Sequence, residues 1–306
     1  MRLRDVWGYH TSLLFMKNYR LALIYERNSR VAQGERCLSV LARYSHLKID
    51  QYNLKEIQSV TGGYDYYIRL DDGNYSDIVP SPLRPIAWWI SDTHLKHPYR
   101  QIKSQVKSYD QVFLAQKDAV AQIYRDTGKD SHWLPWAADN LKDGESFLPD
   151  EKRVWDVCFI GTSGKFSLRK VVLETIQKYY PNSYVGRAEY SELSKYYAKS
   201  KIVVNYPIRH DVNMRYFEAM GAGSMLLSSR VEGNGIQELF KENETIAYYD
   251  DCVDDLRRKI DYYLKNQDER MMMAKKGFEL VNSRHTYLNR VQELFQVLGI
   301  ELKDAY

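Results

Sequence analysis

Two series of alternating strand and helix patterns, separated by a polar stretch, constrain this sequence most. In the first series, residues 19–26 form a nearly continuous apolar run, as in a parallel strand that is buried on both faces. Residues 34–44 follow with apolar side chains at helical spacing. Because parallel strands need crossover connections, usually helices, the pattern predicts an α/β chain with helices on both faces of its sheets.

The alternation continues on both sides of residues 139–153, which are polar, contain Gly and Pro and have no periodicity. We interpret this stretch as a linker between an N-terminal domain, residues 1–150, and a C-terminal domain, residues 151–306. In such sheets ligands bind at the carboxyl ends of the strands, so we expect the site in the cleft between the domains. Further strands are predicted at 64–70, 85–90, 111–115, 154–160, 184–186, 202–205, 224–228 and 245–249, and helices at 117–126, 168–179, 191–198, 213–220 and 236–240, before three closing helices.

Charge and cysteine usage narrow the class of protein. The sequence has 44 Lys and Arg against 40 Asp and Glu, a net charge of +4, and lacks the concentrated basic stripe of a nucleic-acid-binding protein. Its three cysteines, Cys37, Cys158 and Cys252, have no C-x-x-C spacing, so we expect buried thiols in a reducing compartment. Since no apolar run approaches about 18 residues and no signal-peptide pattern is present, we expect a cytoplasmic chain.

One segment, NYPIRHDVNMRYFEAMGAGSMLLSSR, contains the most chemistry. After a strand and a polar loop, a helix places Arg215 and Glu218 three residues apart on one face. A helix start with an arginine at the carboxyl edge of a parallel sheet suits a phosphate, and the glutamate can accept hydrogen bonds from sugar hydroxyls. An ordinary ion pair between Arg215 and Glu218, with Gly221 and Gly223 as the helix stop, fits the same spacing. Spacing alone leaves both interpretations open.

Part of this segment, RYFEAMGAGSMLLSS, resembles the donor-binding helix and following strand of GT-B fold glycosyltransferases. The arginine three residues before the glutamate is similar to the CgeB-like group within glycosyl transferases group 1, and GIQELF, TIAYYDDCVDDLRRKIDYYLKN and RHTYLNRVQELF follow in that family's order. Shorter landmarks upstream are PIAWWISDTH, YDQVFLAQKDAV and LPWAAD. The resemblance implies a GT-B architecture: two Rossmann-like parallel-sheet domains that face a cleft, with the last helix returning to the N-terminal domain.

The resemblance also implies a function. A glycosyltransferase of hexosyltransferase type would move a sugar from a nucleoside diphosphate donor, with UDP expected, to an acceptor hydroxyl in the cleft. The N-terminal domain would hold the acceptor, whose class stays open between glycan, small molecule, protein and nucleic acid. No cofactor and no metal is expected, because enzymes of this fold generally neutralise the departing diphosphate with protein cations.

By match of position, the resemblance places the donor in the C-terminal domain. Glu218 would bind the ribose, while Arg215 and the backbone N–H groups of its helix would contact the diphosphate. Gly161 would allow close approach of the backbone, and Lys165 or Arg169 would supply a second cation. The full set of candidate donor-binding residues is Gly161, Lys165, Arg169, Arg187, His210, Asn213, Arg215, Glu218, Gly221 and Gly223.

The sequence departs from the resembled pattern at one position. Many retaining GT-B enzymes have two glutamates separated by seven residues, and the position eight residues before Glu218 is His210. The missing glutamate leaves the stereochemical course of transfer open. Arg187, within the segment VGR, matches the stretch that lines the base pocket in the family, and Arg169 fits a solvated helix position as well.

The N-terminal half offers the candidate catalytic residues. Asp92 and His94 follow the run PIAWWIS as alternate residues of an extended segment, so they lie on one side of it. A carboxylate or imidazole at the end of a strand suits removal of the acceptor hydroxyl proton. A loop cap at Asp92 with surface histidines is the alternative, and a metal site that includes His97 is disfavoured by the irregular spacing. The acidic pair at 71–72 is interpreted as a turn.

Other functions stay compatible with these residues. The missing glutamate keeps open a non-catalytic sugar-nucleotide or carbohydrate-binding protein, and the same fold supports sugar-nucleotide epimerases and DNA glycosyltransferases. For the site itself, the shared helix face of Arg215 and Glu218 predicts that alanine at either position weakens donor binding and leaves the fold intact.

Overall fold

The structure is a computed structural model that describes residues 17–27, 33–142, 144–163 and 167–302. Its strands form two sheets, one of six strands in the N-terminal half and one of five in the C-terminal half. Every pair of neighbouring strands in these sheets runs parallel. The predicted α/β class with two parallel-sheet domains is therefore confirmed.

The N-terminal half contains three elements that the sequence pattern does not predict, which are two strands, β2 (Leu47–Tyr52) and β6 (His132–Trp133), and one helix, α2 (Lys96–Gln105). Its elements are β1 (Tyr19–Ile24), α1 (Gln33–Leu41), β2 (Leu47–Tyr52), β3 (Tyr66–Leu70), β4 (Ile86–Ile90), α2 (Lys96–Gln105), β5 (Gln111–Leu114), α3 (Asp118–Thr127) and β6 (His132–Trp133). The strand order is β2-β1-β3-β4-β5-β6. Strand β2 lies at the edge and carries charged residues, so it lacks a continuous apolar run. Helix α2 has Pro98 in its first turn, where proline is tolerated although it resembles a loop signal.

The second sheet follows the predicted alternation closely. Its elements are β7 (Trp155–Ile160), α4 (Leu168–Tyr179), β8 (Ser183–Gly186), α5 (Leu193–Ala198), β9 (Ser200–Asn205), α6 (Met214–Gly221), β10 (Met225–Ser229), α7 (Ile236–Leu239), β11 (Ala247–Tyr249), α8 (Val253–Lys265), α9 (Gln267–Arg284) and α10 (Tyr287–Leu298). The strand order is β11-β10-β9-β7-β8. Every residue of β10 is buried, including the two serines at its carboxyl end.

Both sheets reverse their strand order at one internal point. Strand β1 lies between β2 and β3, and β7 lies between β8 and β9, so the connections leave in opposite directions at each of these points. In open α/β sheets, ligands bind outside the carboxyl ends of the strands at such a switch point. The residues that follow β7 and β9 therefore occupy the position where a ligand is expected.

The last helix, α10, packs against the first sheet. Its buried apolar side chains form one cluster with those of β1 and α1. This cluster includes Tyr287, Leu294 and Phe295 of α10, Leu23 of β1 and Val40 of α1. The backbone N–H of Tyr287 also donates to the backbone oxygen of Ala138 at 3.0 Å. Since each fully buried apolar side chain contributes about 1.5–3 kcal/mol, this cluster links the two halves of the chain strongly.

The expectations about thiols and membranes can be compared with the structure. Cys37 and Cys158 are buried, whereas Cys252 is exposed. The expectation of a buried thiol is wrong for Cys252, because this residue precedes the acidic and amphipathic helix α8 at its solvent-facing start. Among the described residues, no helix combines the length and the apolar composition needed to cross a bilayer.

Candidate active site between the two sheets

Helix α6 begins at the carboxyl edge of the second sheet, and Asn213 caps its N-terminus. The side-chain oxygen of Asn213 accepts a hydrogen bond from the backbone N–H of Arg215 at 3.1 Å. Its Nδ2 donates to Oδ1 of Asn205 at 3.3 Å. Asparagine suits this position because its short side chain satisfies a backbone donor that the first helical turn leaves free. The structure thus gives Asn213 a capping role within the second domain.

The guanidinium of Arg215 crosses the gap between the ends of β7 and β9. Nη1 donates to Oδ1 of Asn205 at 2.7 Å, and Nη2 donates to the backbone oxygen of Ile160. The group lies 4.2 Å from the ring centroid of Phe159. Among the ion pairs of the described residues, none joins Arg215 to Glu218, so the interpretation as a local ion pair is wrong. Arg215 instead connects two strand ends and brings a positive charge to the switch point.

Gly161 follows β7 directly, and the local geometry requires a glycine there. Its φ of 151° is one that L side chains rarely adopt. A Cβ at this position would lie 2.7 Å from Nη2 of Arg215. The sequence analysis expects a ligand to approach the backbone closely at Gly161. In this structure the Arg215 guanidinium makes that close approach.

Glu218 forms an ion pair with the first domain. Its Oε1 lies 2.7 Å from Nη2 of Arg36, a residue of α1 that is only 4% exposed. The Arg36 guanidinium also lies 3.4 Å from Asp139, donates to the Tyr287 hydroxyl at 3.2 Å and stacks 4.1 Å from the Tyr190 ring centroid. The sequence offered no local signal for this contact, because the two partners are 182 residues apart. Arg36 is thus a site residue that sequence reasoning missed.

A pocket of about 270 Å³ opens beside Glu218. The linker and the turn before α5 form much of its wall, and the lining is rich in polar side chains that suit hydroxyl groups. These polar residues include Arg36, Asp139, Asn140, Tyr190, Ser191, Ser194, Lys195 and Glu218. The volume is close to the lower end of about 300–1,000 Å³ that is typical of small-molecule sites.

The two glycines after Glu218 serve close packing. A Cβ on Gly221 would lie 2.7 Å from the Cβ of Ala138 and 3.2 Å from Val281. Gly223 has a φ of 92°, and a Cβ there would lie 3.1 Å from Phe147. Gly221 also lines the pocket beside Glu218, whereas Gly223 is absent from that lining. Their positions explain the helix stop by packing and backbone conformation.

Three cations of the predicted set have different surroundings. Arg169 is 9% exposed and donates to the backbone oxygens of Tyr206, at 3.0 and 2.6 Å, and Thr162, at 3.2 Å, so the solvated interpretation is wrong. Burial, together with the charge of Arg215, lowers the pKa of Arg169 to about 10. Arg187 has an exposed side chain, while Lys165 lies outside the described residues.

A second pocket, of about 320 Å³, lies at the ends of β7, β9 and β10. It contains Arg169 and His210 from the predicted donor set but neither Arg215 nor Glu218. Four of the predicted donor-binding residues therefore line a pocket, with Arg169 and His210 in this one and Glu218 and Gly221 in the other. The polar residues of this second lining are Thr162, Ser163, Ser167, Arg169, Arg209, His210, Ser229, Arg230 and Asp251.

The loop between β9 and α6 is strained and held from two sides. Arg209 and His210 have positive φ values of 52° and 60°, a conformation that costs free energy for non-glycine residues. Gln116 of the first domain donates to Oδ1 of Asp211 at 2.6 Å, and Asn234 donates to the backbone oxygen of His210 at 2.8 Å. These contacts fix the loop at the cleft, with Asp211 directed towards the first domain.

Asp92 and His94 follow β4 at the carboxyl edge of the first sheet. Burial and the nearby charge of Asp71 raise the pKa of Asp92 to about 6. Asp71 itself is 2% exposed and accepts hydrogen bonds from Ser91 and from the Tyr75 hydroxyl, so it stabilises the strand end. Burial and the charge of Arg209 lower the pKa of His94 to about 4, so this imidazole is neutral at neutral pH.

Asp211, in the second domain, feels the charge of Asp92 from the first domain. Burial and the charge of Asp92 raise the pKa of Asp211 to about 7, although the charges of Arg169 and Arg215 act in the opposite direction. The sequence did not identify Asp211 as a catalytic candidate, because its partner is contributed by a distant part of the chain.

Residues 152–296 match a family model described as glycosyl transferase-like. This segment is named the glycosyl transferase-like domain after the model that it matches. No curated protein matches the sequence significantly. The relationship to GT-B glycosyltransferases predicted from the motifs is confirmed, while the narrower CgeB-like assignment stays a prediction.

Several solved structures are similar to almost the whole chain in fold. Anabaena HepE in complex with UDP and glucose has a TM-score of 0.66 at 10% identity, over 92% of this chain and 99% of the other. An alpha-glucosyltransferase in complex with UDP and a DNA 13-mer has a TM-score of 0.66 at 9% identity, over 92% and 100%. Sucrose-phosphate synthase from Thermosynechococcus elongatus has a TM-score of 0.63 at 12% identity, over 92% and 98%. The chain has the predicted GT-B fold.

The glycosyl transferase-like domain contributes the cations Arg169 and Arg215 to the site, and the N-terminal half contributes Asp92, His94 and a third cation, Arg36. Within the described ranges, no group of three or more His, Cys, Asp or Glu side chains is placed to hold a metal ion. Backbone N–H groups of the turn after β3 donate to Asp71 and Asp72 at 2.8 and 2.9 Å, which agrees with the turn interpretation. Metal independence stays a prediction.

The raised pKa of Asp211 predicts that the free energy of unfolding depends on pH. The folded pKa of about 7 exceeds the ordinary 3.8, so the ionised form destabilises the fold above pH 7, and this cost decreases as the pH falls towards 3.8. Asp211→Asn can still accept from Gln116, and we expect it to raise the free energy of unfolding by roughly 1–4 kcal/mol at pH 8. Urea denaturation measures this, and an equal gain at pH 8 and pH 4 would contradict the assignment.

Proposed function

We propose that the chain is a glycosyltransferase that moves a sugar from a nucleoside diphosphate donor to an acceptor hydroxyl in the cleft. One observation supports this proposal most: Asp211, to which Gln116 of the first domain donates at 2.6 Å, feels the charge of Asp92 from the end of the other sheet and the charges of the cations Arg169 and Arg215. The arrangement combines a proton acceptor with positive charge. A transfer that releases a diphosphate requires both.

The donor is proposed to be a UDP-sugar. HepE and the alpha-glucosyltransferase are described in complex with UDP, and the fold they share with this chain supports the same nucleotide class here. In this chain the ribose would bind Glu218, and the nucleoside would occupy the pocket of about 270 Å³ beside it. The diphosphate would lie towards Arg215 and the N-terminus of α6, where the helix dipole favours negative charge.

In the proposed reaction, the acceptor oxygen attacks the anomeric carbon of the donor sugar, and the bond from that carbon to the diphosphate oxygen breaks. The acceptor proton passes to the carboxylate of Asp92, whose pKa of about 6 makes it a stronger base than an ordinary aspartate while it stays ionised at neutral pH. His94 is a weaker base, because burial lowers its pKa to about 4. The negative charge of the departing diphosphate is stabilised by Arg169, Arg215 and the α6 N-terminus.

Release of nucleoside diphosphate tests the proposed function. The protein is incubated with UDP-glucose, UDP-N-acetylglucosamine, UDP-galactose and GDP-mannose, each with a panel of glycan, small-alcohol, peptide and duplex-DNA acceptors. We expect one donor to release its nucleoside diphosphate in equal amount with a glycosylated product. Tight donor binding without release would favour a binding protein, and isomerised donor without acceptor would favour an epimerase.

A further inference from the structure

We infer that Arg36, from the N-terminal domain, is a positioning residue for the donor ribose. It holds one oxygen of the Glu218 carboxylate so that the other oxygen is available to the ribose hydroxyls in the adjacent pocket. This inference rests on the proposed function, in which Glu218 binds the ribose. It makes the ribose site a composite of both domains.

The geometry of the ion pair leaves half of the carboxylate available. Nη2 of Arg36 donates to Oε1 of Glu218 at 2.7 Å, whereas no described residue donates a hydrogen bond to Oε2. An ionised carboxylate has about four lone-pair sites, so an anchored Oε1 leaves Oε2 able to accept from two hydroxyls. Arg36 and Glu218 both line the pocket of about 270 Å³, so the open oxygen belongs to the same site.

Arg36 is itself fixed on several sides. Its guanidinium lies 3.4 Å from Asp139, donates to the Tyr287 hydroxyl at 3.2 Å and stacks 4.1 Å from the ring centroid of Tyr190. The Tyr190 hydroxyl in turn donates to Asp139 at 2.5 Å. A partner that is already immobile removes much of the entropy cost of orienting Glu218 for a ligand. The network therefore preorganises the carboxylate before the donor binds.

Preorganisation of Glu218 has a measurable consequence for nucleotide choice. A fixed carboxylate binds a ribose with both hydroxyls more tightly than a 2′-deoxyribose, because the deoxy sugar leaves one carboxylate lone pair without a donor. A hydrogen bond to a charged group contributes enough free energy for about a tenfold preference. Without Arg36, the glutamate turns freely, and we expect most of this preference to disappear.

The experiment compares UDP with 2′-deoxy-UDP, and the corresponding GDP, ADP and CDP pairs, by titration calorimetry. We expect the wild type to prefer one ribonucleotide about tenfold over its 2′-deoxy form. Arg36→Met is expected to reduce the preference to about one, mainly by weakening the ribonucleotide. Arg36→Lys keeps the charge but not the planar fork, so its preference is expected to lie in between.

The matched control is Arg270→Met. Arg270 is 1% exposed and pairs with Asp150 at 2.7 Å, and it is absent from the lining of the nucleoside pocket. We expect this variant to lose stability and to keep the wild-type preference. If folded Arg36→Met keeps the wild-type preference for the ribonucleotide, the inference is overturned and the proposed function is not. If Arg36→Met does not fold, a wild-type preference in Arg36→Lys has the same consequence. A wild type that binds no nucleoside diphosphate would overturn the proposed function as well.

Discussion

Asp92→Asn is expected to lower kcat by about 10²–10⁴-fold while the affinity for the donor changes little. The amide has nearly the same shape as the carboxylate but cannot accept the acceptor proton. Asp92 follows β4 of the first sheet and is absent from the lining of the pocket beside Glu218, so donor binding is not expected to depend on it. Steady-state release of nucleoside diphosphate gives kcat, and calorimetry gives the dissociation constant of the donor.

The pH dependence provides a second test of Asp92. Because burial and Asp71 raise its pKa to about 6, the wild-type rate should fall as the pH decreases through about 6, where the carboxylate becomes protonated. The residual activity of Asp92→Asn should lack this acid limb. Asp77→Asn is the control, because Asp77 is an exposed residue of the same domain. A wild-type rate in Asp92→Asn would return Asp92 to a structural role.

Glu218→Ala is expected to abolish measurable donor binding and also to destabilise the protein. The sequence predicted that the fold would stay intact, but the structure gives Arg36 a buried guanidinium that loses its shortest ion pair, of 2.7 Å, in this variant. Removing one partner of a buried pair costs about 3–5 kcal/mol, and the remaining contact with Asp139 reduces that cost. Urea denaturation measures the free energy of unfolding, and calorimetry measures donor affinity.

A double variant separates the two effects of Glu218. In Arg36→Met with Glu218→Met, the unpaired charge is absent and the space is filled by apolar atoms of similar length, so stability should recover. Donor binding should stay lost, because no carboxylate is present. Full stability in Glu218→Ala alone would contradict the assigned strength of the ion pair, and donor binding by the double variant would contradict the ribose assignment.

Local signals in the sequence were sufficient for much of the second domain. Strand β9, the Asn213 cap and helix α6 are adjacent in sequence, and their apolar periodicity and capping residue act over a few positions. The edge strands β2 and β6 and helix α2 were missed, because charged residues in β2, the two-residue length of β6 and Pro98 in α2 hide the patterns that identify such elements. These elements form because of their contacts with the rest of the fold, which a local sequence pattern does not contain.

The side-chain partners in the site depended on contacts that no local pattern encodes. The Arg215–Glu218 spacing suggested a pair on one helix, yet Glu218 binds Arg36 from 182 positions away and Arg215 binds the strand ends. Asp211 drew attention only in the folded chain, where Gln116 of the first domain donates to it and the charge of Asp92 raises its pKa. Motif resemblance located the donor helix, whereas the fold determined which charges meet across the cleft.

The central claim is that the cleft of this chain binds a nucleoside diphosphate sugar through the glycosyl transferase-like domain. Thermal unfolding of the wild type and of Glu218→Ala, measured with and without each sugar nucleotide, tests it most directly, because a ligand that binds the folded state stabilises it by mass action. We expect one sugar nucleotide to raise the Tm of the wild type in a concentration-dependent way and to leave the Tm of Glu218→Ala unchanged. An unchanged wild-type Tm with every sugar nucleotide, or an equal rise in both proteins, would contradict it.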